Sequence, residues 1–236
     1  MHATIQKPLS EILSYLDEGE KVFIVGCGNC ATKCKSGGEE EVKGMKERLE
    51  TEGVEVTGCA VPTGTCVLPA VKEELHVANK EAVDRADSFL ILACGQGVHT
   101  VLDATGGKRV HPGCDTIFGG ETVTPDFITE YCSLCGECIV EYTGGLCPLT
   151  LCTKGLLNGP CGGAKNGKCE ANRERDCGWQ LIYERLKALE RLDLMYECHE
   201  PKDHSKWARP RSLSLGENKA EFNFLGKVYS PRRENV

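Results

Sequence analysis

The sequence predicts an α/β chain, with an N-terminal parallel-sheet, Rossmann-like domain followed by a small, irregular, cysteine-rich, partly helical metal-binding domain. Three observations carry this. Short apolar runs at residues 21–26, 54–59 and 88–94 alternate with helix-like stretches, the pattern of parallel strands joined by crossover helices. After Pro125 that rhythm stops, and residues 131–177 hold eight cysteines with no strand-like run. The whole chain is rich in glycine (27) and cysteine (16) but only 6% aromatic, as expected where much of it is tight loop.

Taken in order, residues 8–18 (PLSEILSYLDE) place Leu9, Ile12, Leu13 and Leu16 on one face of a short helix. Residues 21–26 (KVFIVG) read as a buried strand. Residues 38–52 form a helix that is acidic at its start and more basic further along, as the helix dipole favours. Residues 54–59 are the second strand, and residues 67–86 are mostly helical with interruptions near Pro69 and Asn79. The third strand spans 88–94, a helix spans 98–105, and a short strand lies near 108–111. Residues 178–196 (GWQLIYERLKALERLDLMY) read as one long helix, with Trp179, Ile182, Leu186, Leu189 and Leu192 forming a core-facing stripe. Residues 198–236 are polar, with Pro201, Pro210 and Pro231, and read as a tail or arm. The expected domains are therefore 1–125, 126–198 and 199–236.

Charge and hydropathy exclude several function classes. The net charge is −7, and no basic block marks the first half, so nucleic acid is not an expected partner. The longest apolar run, residues 89–94, is too short to span a bilayer. Residues 1–20 are polar and acidic without a secretory core segment, so a cytoplasmic protein is expected. In that reducing compartment sixteen cysteines are metal ligands rather than disulfide partners.

The stretch FIVGCGNCATKC (residues 23–34) contains a Gly-x-Gly-x-x-Ala turn directly after a strand, the outline of a dinucleotide-binding loop. Two companions of that motif are missing. The helix is expected only near Gly37, too late for its amides to meet a pyrophosphate, and the second strand tip (Thr57, Gly58, Cys59) carries no acid for a ribose. Cys27, Cys30 and Cys34 instead place three thiols in one loop, as cluster binding requires. A further ligand is open among Cys66, Cys94 and Cys59. Cys59 is the weaker candidate, since it reads equally as a small apolar strand residue.

The second cysteine field begins with Cys132, Cys135 and Cys138 in CSLCGEC, which matches the first three ligands of a bacterial ferredoxin run. The next cysteine, Cys147, comes too late for the ferredoxin hairpin. Cys152, Cys161, Cys169 and Cys177 follow, and the eight together suffice numerically for two cubane clusters. A Cys-x-x-Cys-x-x-Cys triplet favours iron–sulfur over zinc, which prefers cysteine pairs, and zinc stays as the alternative occupant. The histidines, His76, His99 and His111 among them, stand singly and read as surface or loop residues. No acid–base pair and no Ser-His-Asp or Cys-His arrangement stands out, so no catalytic residue is assigned.

The segments CPLTLCTKGLLNGPCGGAKNGKCE (residues 147–170) and RDCGWQLIYERL (residues 175–186) resemble the C-terminal cysteine-rich domain associated with methylenetetrahydrofolate reductases. With GCGNCATKC and CSLCGEC ahead of them, the chain resembles the MetV-type small subunit family of acetogens and related anaerobes. The resemblance implies a non-catalytic electron-transfer subunit carrying two or three 4Fe–4S clusters, with zinc as an additional candidate metal. It further implies a separate flavin-containing barrel subunit as partner, which reduces methylene-tetrahydrofolate in the Wood–Ljungdahl methyl branch. The upstream donor would be a ferredoxin or an NADH- or heterodisulfide-reductase-type module. The chain is too short to hold such a barrel beside its cysteine domains. Two other readings stand beside this one: a zinc-binding scaffold subunit, and an iron–sulfur subunit of another redox complex, such as one of the heterodisulfide-reductase type.

Overall fold

The apolar runs of the two central strands, Val22–Val25 and Ser88–Ile91, are buried on both sides. In this computed structural model, which describes residues 1–209, 211–215 and 220–223, the chain divides into two compact units, one comprising Met1–Ile128 and one beginning at Thr129. The expectation of a tail falls partly on residues 210, 216–219 and 224–236, which lie outside the described residues.

The first unit runs β1 (His2–Gln6), α1 (Leu9–Leu13), β2 (Val22–Val25), α2 (Cys30–Lys33), α3 (Glu39–Thr51), β3 (Val56–Ala60) and α4 (Leu68–Glu73). It continues through α5 (Lys80–Arg85), β4 (Ser88–Ile91), α6 (Gly95–Ala104), β5 (Arg109–Pro112), β6 (Cys114–Gly119), β7 (Glu121–Thr124) and β8 (Phe127–Thr129). Strands β3-β2-β4-β5 form one parallel sheet in that order. Side chains alternate across it. Phe23, Val25, Phe89 and Ile91 point to one face, where Val71 of α4, Val83 of α5 and Val101 of α6 cover them. Val22, Ile24, Leu90 and Leu92 point to the other, beneath Ile12 of α1 and Val42, Met45 and Leu49 of α3. A strand buried on both faces must read as continuous apolar sequence, which is why β2 and β4 were legible. Leu9, Ile12 and Leu13 of α1 pack on this face as their spacing predicts, together with Leu16, although the helix ends at Leu13 rather than running to residue 18.

Several elements differ from expectation. The loop after β2 is not bare before residue 37, because Cys30–Lys33 close one helical turn. β1 has no sequence-level signal and pairs antiparallel with β6 across a bulge at Ala3/Thr4. β7 and β8 form a separate two-stranded ribbon. His111, expected at the surface, is buried on β5, its Nε2 lying 2.9 Å from Oε1 of the buried Glu20. Burial alone would raise the Glu20 carboxyl. The Asp17 amide and the His111 ring outweigh it and hold the group below the usual carboxylate range.

The second unit has little regular structure. It holds α7 (Pro148–Leu151), α8 (Gly178–Ala188) and a hairpin of β9 (Ser212–Leu215) and β10 (Ala220–Asn223). Its core is Trp179, Ile182 and Leu186, with Leu146, Leu156 and Leu192 packed around them. Trp179 Nε1 donates to the Leu156 carbonyl at 3.0 Å. The long helix expected over residues 178–196 is a correction: α8 stops at Ala188, and a separate 3-10 turn spans Leu192–Tyr196. Glu190 adopts the left-handed region (φ 56°), the Arg191 amide reaches back to Leu186 O at 2.9 Å, and the Glu190 amide to Lys187 O at 3.1 Å. This is a Schellman stop with glutamate where glycine is usual, so no glycine announced it. Leu189, counted in the stripe, is consequently exposed.

Candidate metal centres

Parallel strands put their carboxyl ends on one edge, and β2, β3 and β4 are immediate neighbours there. Each leaves the sheet through a loop bearing cysteine. Cys27 and Cys30 follow β2, Cys66 follows β3, and Cys94 follows β4 as the residue preceding α6. Backbone hydrogen bonds stitch these loops together: Gly26 N to Ala60 O, Cys27 N to Gly37 O and Gly28 N to Pro62 O, each 2.8 Å. The approach at Gly37 admits only glycine, since a Cβ there would fall 1.7 Å from the Leu92 carbonyl oxygen. Thr65, 1% exposed, donates its hydroxyl to Gly26 O at 2.6 Å.

The electrostatics of this edge favour a thiolate. Burial would raise the Cys27 thiol. The backbone amides of Thr65, Asn29 and Ala31 outweigh that effect and draw it below the ordinary thiol value. Burial raises Cys66, and the neighbouring Cys94, Cys27 and Cys30 oppose its ionisation further. That mutual repulsion places the four thiols in one electrostatic neighbourhood. Cys34 faces elsewhere: its sulfur accepts from the Thr4 amide at 3.4 Å and donates to His2 O at 3.6 Å, both on β1. Cys59 is exposed on β3. Cys114, on β6, is buried, donates to Ser36 O at 3.3 Å, and is pushed up to about 12 by burial.

In the second unit Cys132 and Cys138 are exposed and Cys135 half-buried. Leu134 (φ 56°) and Gly136 (φ 81°) turn the chain sharply within this triplet. Burial would raise the Cys135 thiol, but the Glu137 backbone and the Lys202 ammonium, whose Nζ is 3.5 Å from the sulfur, hold it low. Cys147 precedes α7 and Cys152 ends it, while Cys177 precedes α8. Gly178 lies so close to Leu151 that a Cβ would meet its carbonyl carbon at 2.6 Å, so the start of α8 and the end of α7 meet next to Cys177 and Cys152. Both pack on the Trp179 core. Cys169 is 3.7 Å from Thr153 Oγ1, next to Cys152, and the Ala171 amide, the Thr153 hydroxyl and the Asn172 amide draw its thiol low. The Cys161 thiol donates to Glu170 Oε1 at 3.5 Å, and the Cys177 amide to Gly167 O at 2.7 Å.

All sixteen cysteines are free thiols. Among the described residues, no group of three or more Cys, His, Asp or Glu side chains is drawn together as a metal-holding set. The donor chemistry suits a soft metal or cluster, since Cys27, Cys135 and Cys169 are held toward the thiolate. Three supporting residues had no sequence signal: Thr65, Glu137 and Lys202 sit outside any periodic pattern, and Lys202 falls in the stretch read as a tail.

Fold and site together define an α/β unit with a thiol-bearing sheet edge, followed by a cysteine-rich unit on a small core. Residues 111–205 match the family model described as "Methylene-tetrahydrofolate reductase C terminal". The match covers under half of the chain, including all eight cysteines from Cys132 to Cys177 and helix α8. No curated protein and no solved structure matches the chain. Among the described residues, no helix is long and apolar enough to cross a membrane.

Proposed function

We propose that the chain is a MetV-type electron-transfer subunit of a methylenetetrahydrofolate reductase, working in the cytoplasm. It passes electrons from a ferredoxin, or from an NADH- or heterodisulfide-reductase-type module, to the flavin of a separate barrel subunit. That subunit reduces methylene-tetrahydrofolate to methyl-tetrahydrofolate, in the methyl branch of the Wood–Ljungdahl pathway. The observation that carries the reading is the thiol-bearing sheet edge, where Cys27, Cys30, Cys66 and Cys94 share one neighbourhood and amides favour the Cys27 thiolate. The family match over residues 111–205 supplies the reductase association.

In this reading Cys27, Cys30, Cys66 and Cys94 hold one 4Fe–4S cluster. Cys132, Cys135, Cys138 and Cys147 hold a second, and Cys152, Cys161, Cys169 and Cys177 a third. Clusters of this kind supply one-electron chemistry when bound. The chain's own residues present thiolates, aim backbone amides at them, and exclude water through the burial of Cys27 and Cys94.

Anaerobic purification followed by iron, acid-labile sulfide and zinc analysis tests the reading. Iron with matching sulfide is expected, and Cys94→Ser should remove about four irons per chain, one cluster's worth. Zinc without iron would replace it with the scaffold reading. Clusters in a chain that retains no methylenetetrahydrofolate-reducing flavoprotein would point to another redox complex.

A further inference from the structure

The segment after Cys198 does not trail away from the second unit. Four of its residues return to the CSLCGEC turn. Lys202 Nζ lies 3.5 Å from the Cys135 sulfur and also donates to the Glu137 carbonyl oxygen. The Asp203 amide donates to Glu137 Oε2 at 3.0 Å, and Lys206 Nζ to Glu137 Oε1 at 3.1 Å. Arg211 donates to Leu134 O at 3.2 Å and to Lys206 O at 2.8 Å, tying both ends of the strap to the turn. The contact requires glycine at position 136, where φ is 81° and a Cβ would come 2.9 Å from Lys206 O. Beneath the strap lies a cavity of about 100 Å³ lined by Cys135, Leu149, Leu157, Lys202, His204 and Trp207 among others.

We propose that residues 202–209, together with Arg211, are a strap over the Cys132–Cys138 site and that Lys202 is a positioning residue for the group held there. It fixes Cys135 and sets the local potential with its charge. The inference rests on the iron–sulfur reading above. Glu137 is the buckle: its carboxylate binds the strap backbone and Lys206, and its carbonyl binds Lys202. A fixed cation beside a thiolate stabilises added negative charge, so it favours the reduced state of a cluster bound through that sulfur. Lys202 is partly exposed, which screens the effect without removing it.

The test is a redox titration followed by EPR on the anaerobically purified full chain, comparing wild type, Lys202→Met, Lys202→Arg, Glu137→Gln and Cys135→Ser. Cys135→Ser identifies the signal of this site by losing it. In Lys202→Met that signal should move to a more negative potential. The expected size is about tenfold in the oxidised-to-reduced ratio, or about 59 mV for a one-electron couple. Lys202→Arg should titrate like wild type, and Glu137→Gln, which keeps the backbone carbonyl that holds Lys202 and removes a negative charge, should not move the signal to a more negative potential. If Lys202→Met loses its iron while Lys202→Arg keeps it, the charge is needed to hold the site, which also supports the proposal. An unshifted signal in Lys202→Met at wild-type iron content would overturn it, as would intact signals in Cys135→Ser. Wild-type protein without iron would instead defeat the iron–sulfur reading itself.

Discussion

The two units solve the same problem, presenting thiols in a fixed arrangement, from opposite starting points. The first builds a sheet buried on both faces and hangs its cysteines from the strand ends, so that Phe23, Phe89, Ile24 and Leu90 stabilise the site from beneath. The second has a core of three buried apolar side chains, two α-helices among the described residues, and long loops whose turns depend on left-handed backbone. A core of that size rarely stabilises a unit alone. The difference teaches where metal would matter: as a guest in the first unit and as part of the fold in the second.

The widest test of that contrast is metal removal. Hydrogen exchange should be measured on the anaerobic protein before and after treatment with an iron chelator and reductant. Amides of β2, β4 and α3 are expected to stay protected, while those of α8 and the loops around Cys161 to Cys177 lose protection by orders of magnitude. Retained protection throughout the second unit would show that its small core is sufficient and would end the contrast.

Next in size are cuts into the two cores. Trp179→Ala should cost about 3–5 kcal/mol, from lost burial and from the Leu156 carbonyl left without its indole donor. Phe89→Ala should cost a similar amount in the first unit, where it packs on Phe23 with ring centroids 5.8 Å apart. The consequences should diverge. Calorimetry is expected to show the Phe89 variant folded with a lowered transition, and the Trp179 variant without a cooperative transition for its unit. Equal shifts in both variants would mean that the second unit has more reserve than its core suggests.

The same asymmetry decides what the sequence could disclose. Strands β2 and β4 were readable because burial on both faces forces an unbroken apolar run, and α1 because its leucine and isoleucine positions share one face. The gathering of thiols at one edge followed from parallel strands, although the sequence set Cys34 beside Cys27 and Cys30 and left the further ligand open among Cys59, Cys66 and Cys94. Choosing among them depends on loop paths, and the engagement of Cys34 with β1 could not be foreseen while β1 itself had no signal. In the second unit the stop at Glu190 lacked its glycine, and the strap of residues 202–209 with Arg211 is mostly polar and has no period. Long-range hydrogen bonds to a turn leave no local pattern to read.

A smaller effect concerns the end of the sheet opposite the cysteines. Glu20 and His111 are both buried there, and Arg109 adds a contact to Glu20 at 3.3 Å. Glu20→Gln is expected to destabilise the first unit by about 2–3 kcal/mol at neutral pH, since it leaves the buried His111 without its anion while Arg109 keeps Asp17. The folded carboxyl titrates below its unfolded value of about 4.3. Its contribution is therefore complete above that pH and is lost as pH falls through the lower folded value. Denaturant midpoints of wild type and variant should thus differ at pH 7 and converge as the pH falls below the lowered value of the folded carboxyl. A constant gap across that range would show that ionisation of Glu20 contributes nothing.

The smallest effect tests whether the thiol-bearing edge depends on the sheet alone or also on its loops. Thr65 is buried, and its hydroxyl is the donor that joins the loop after β3 to Gly26 at the start of the cysteine loop. Thr65→Val keeps the volume and removes the donor, leaving a buried carbonyl unsatisfied at a cost of about 1–2 kcal/mol. Thr65→Ser keeps the hydroxyl but removes the methyl group that packs against Gly97. Denaturant unfolding of both variants separates the two contributions. If the hydrogen bond matters, valine lowers the first unit's midpoint more than serine does, and iron occupancy at Cys27 falls with valine alone. If serine proves the worse substitution, packing against Gly97 holds the loop, and the edge owes its order to the same close-packed apolar contacts that build the sheet beneath it.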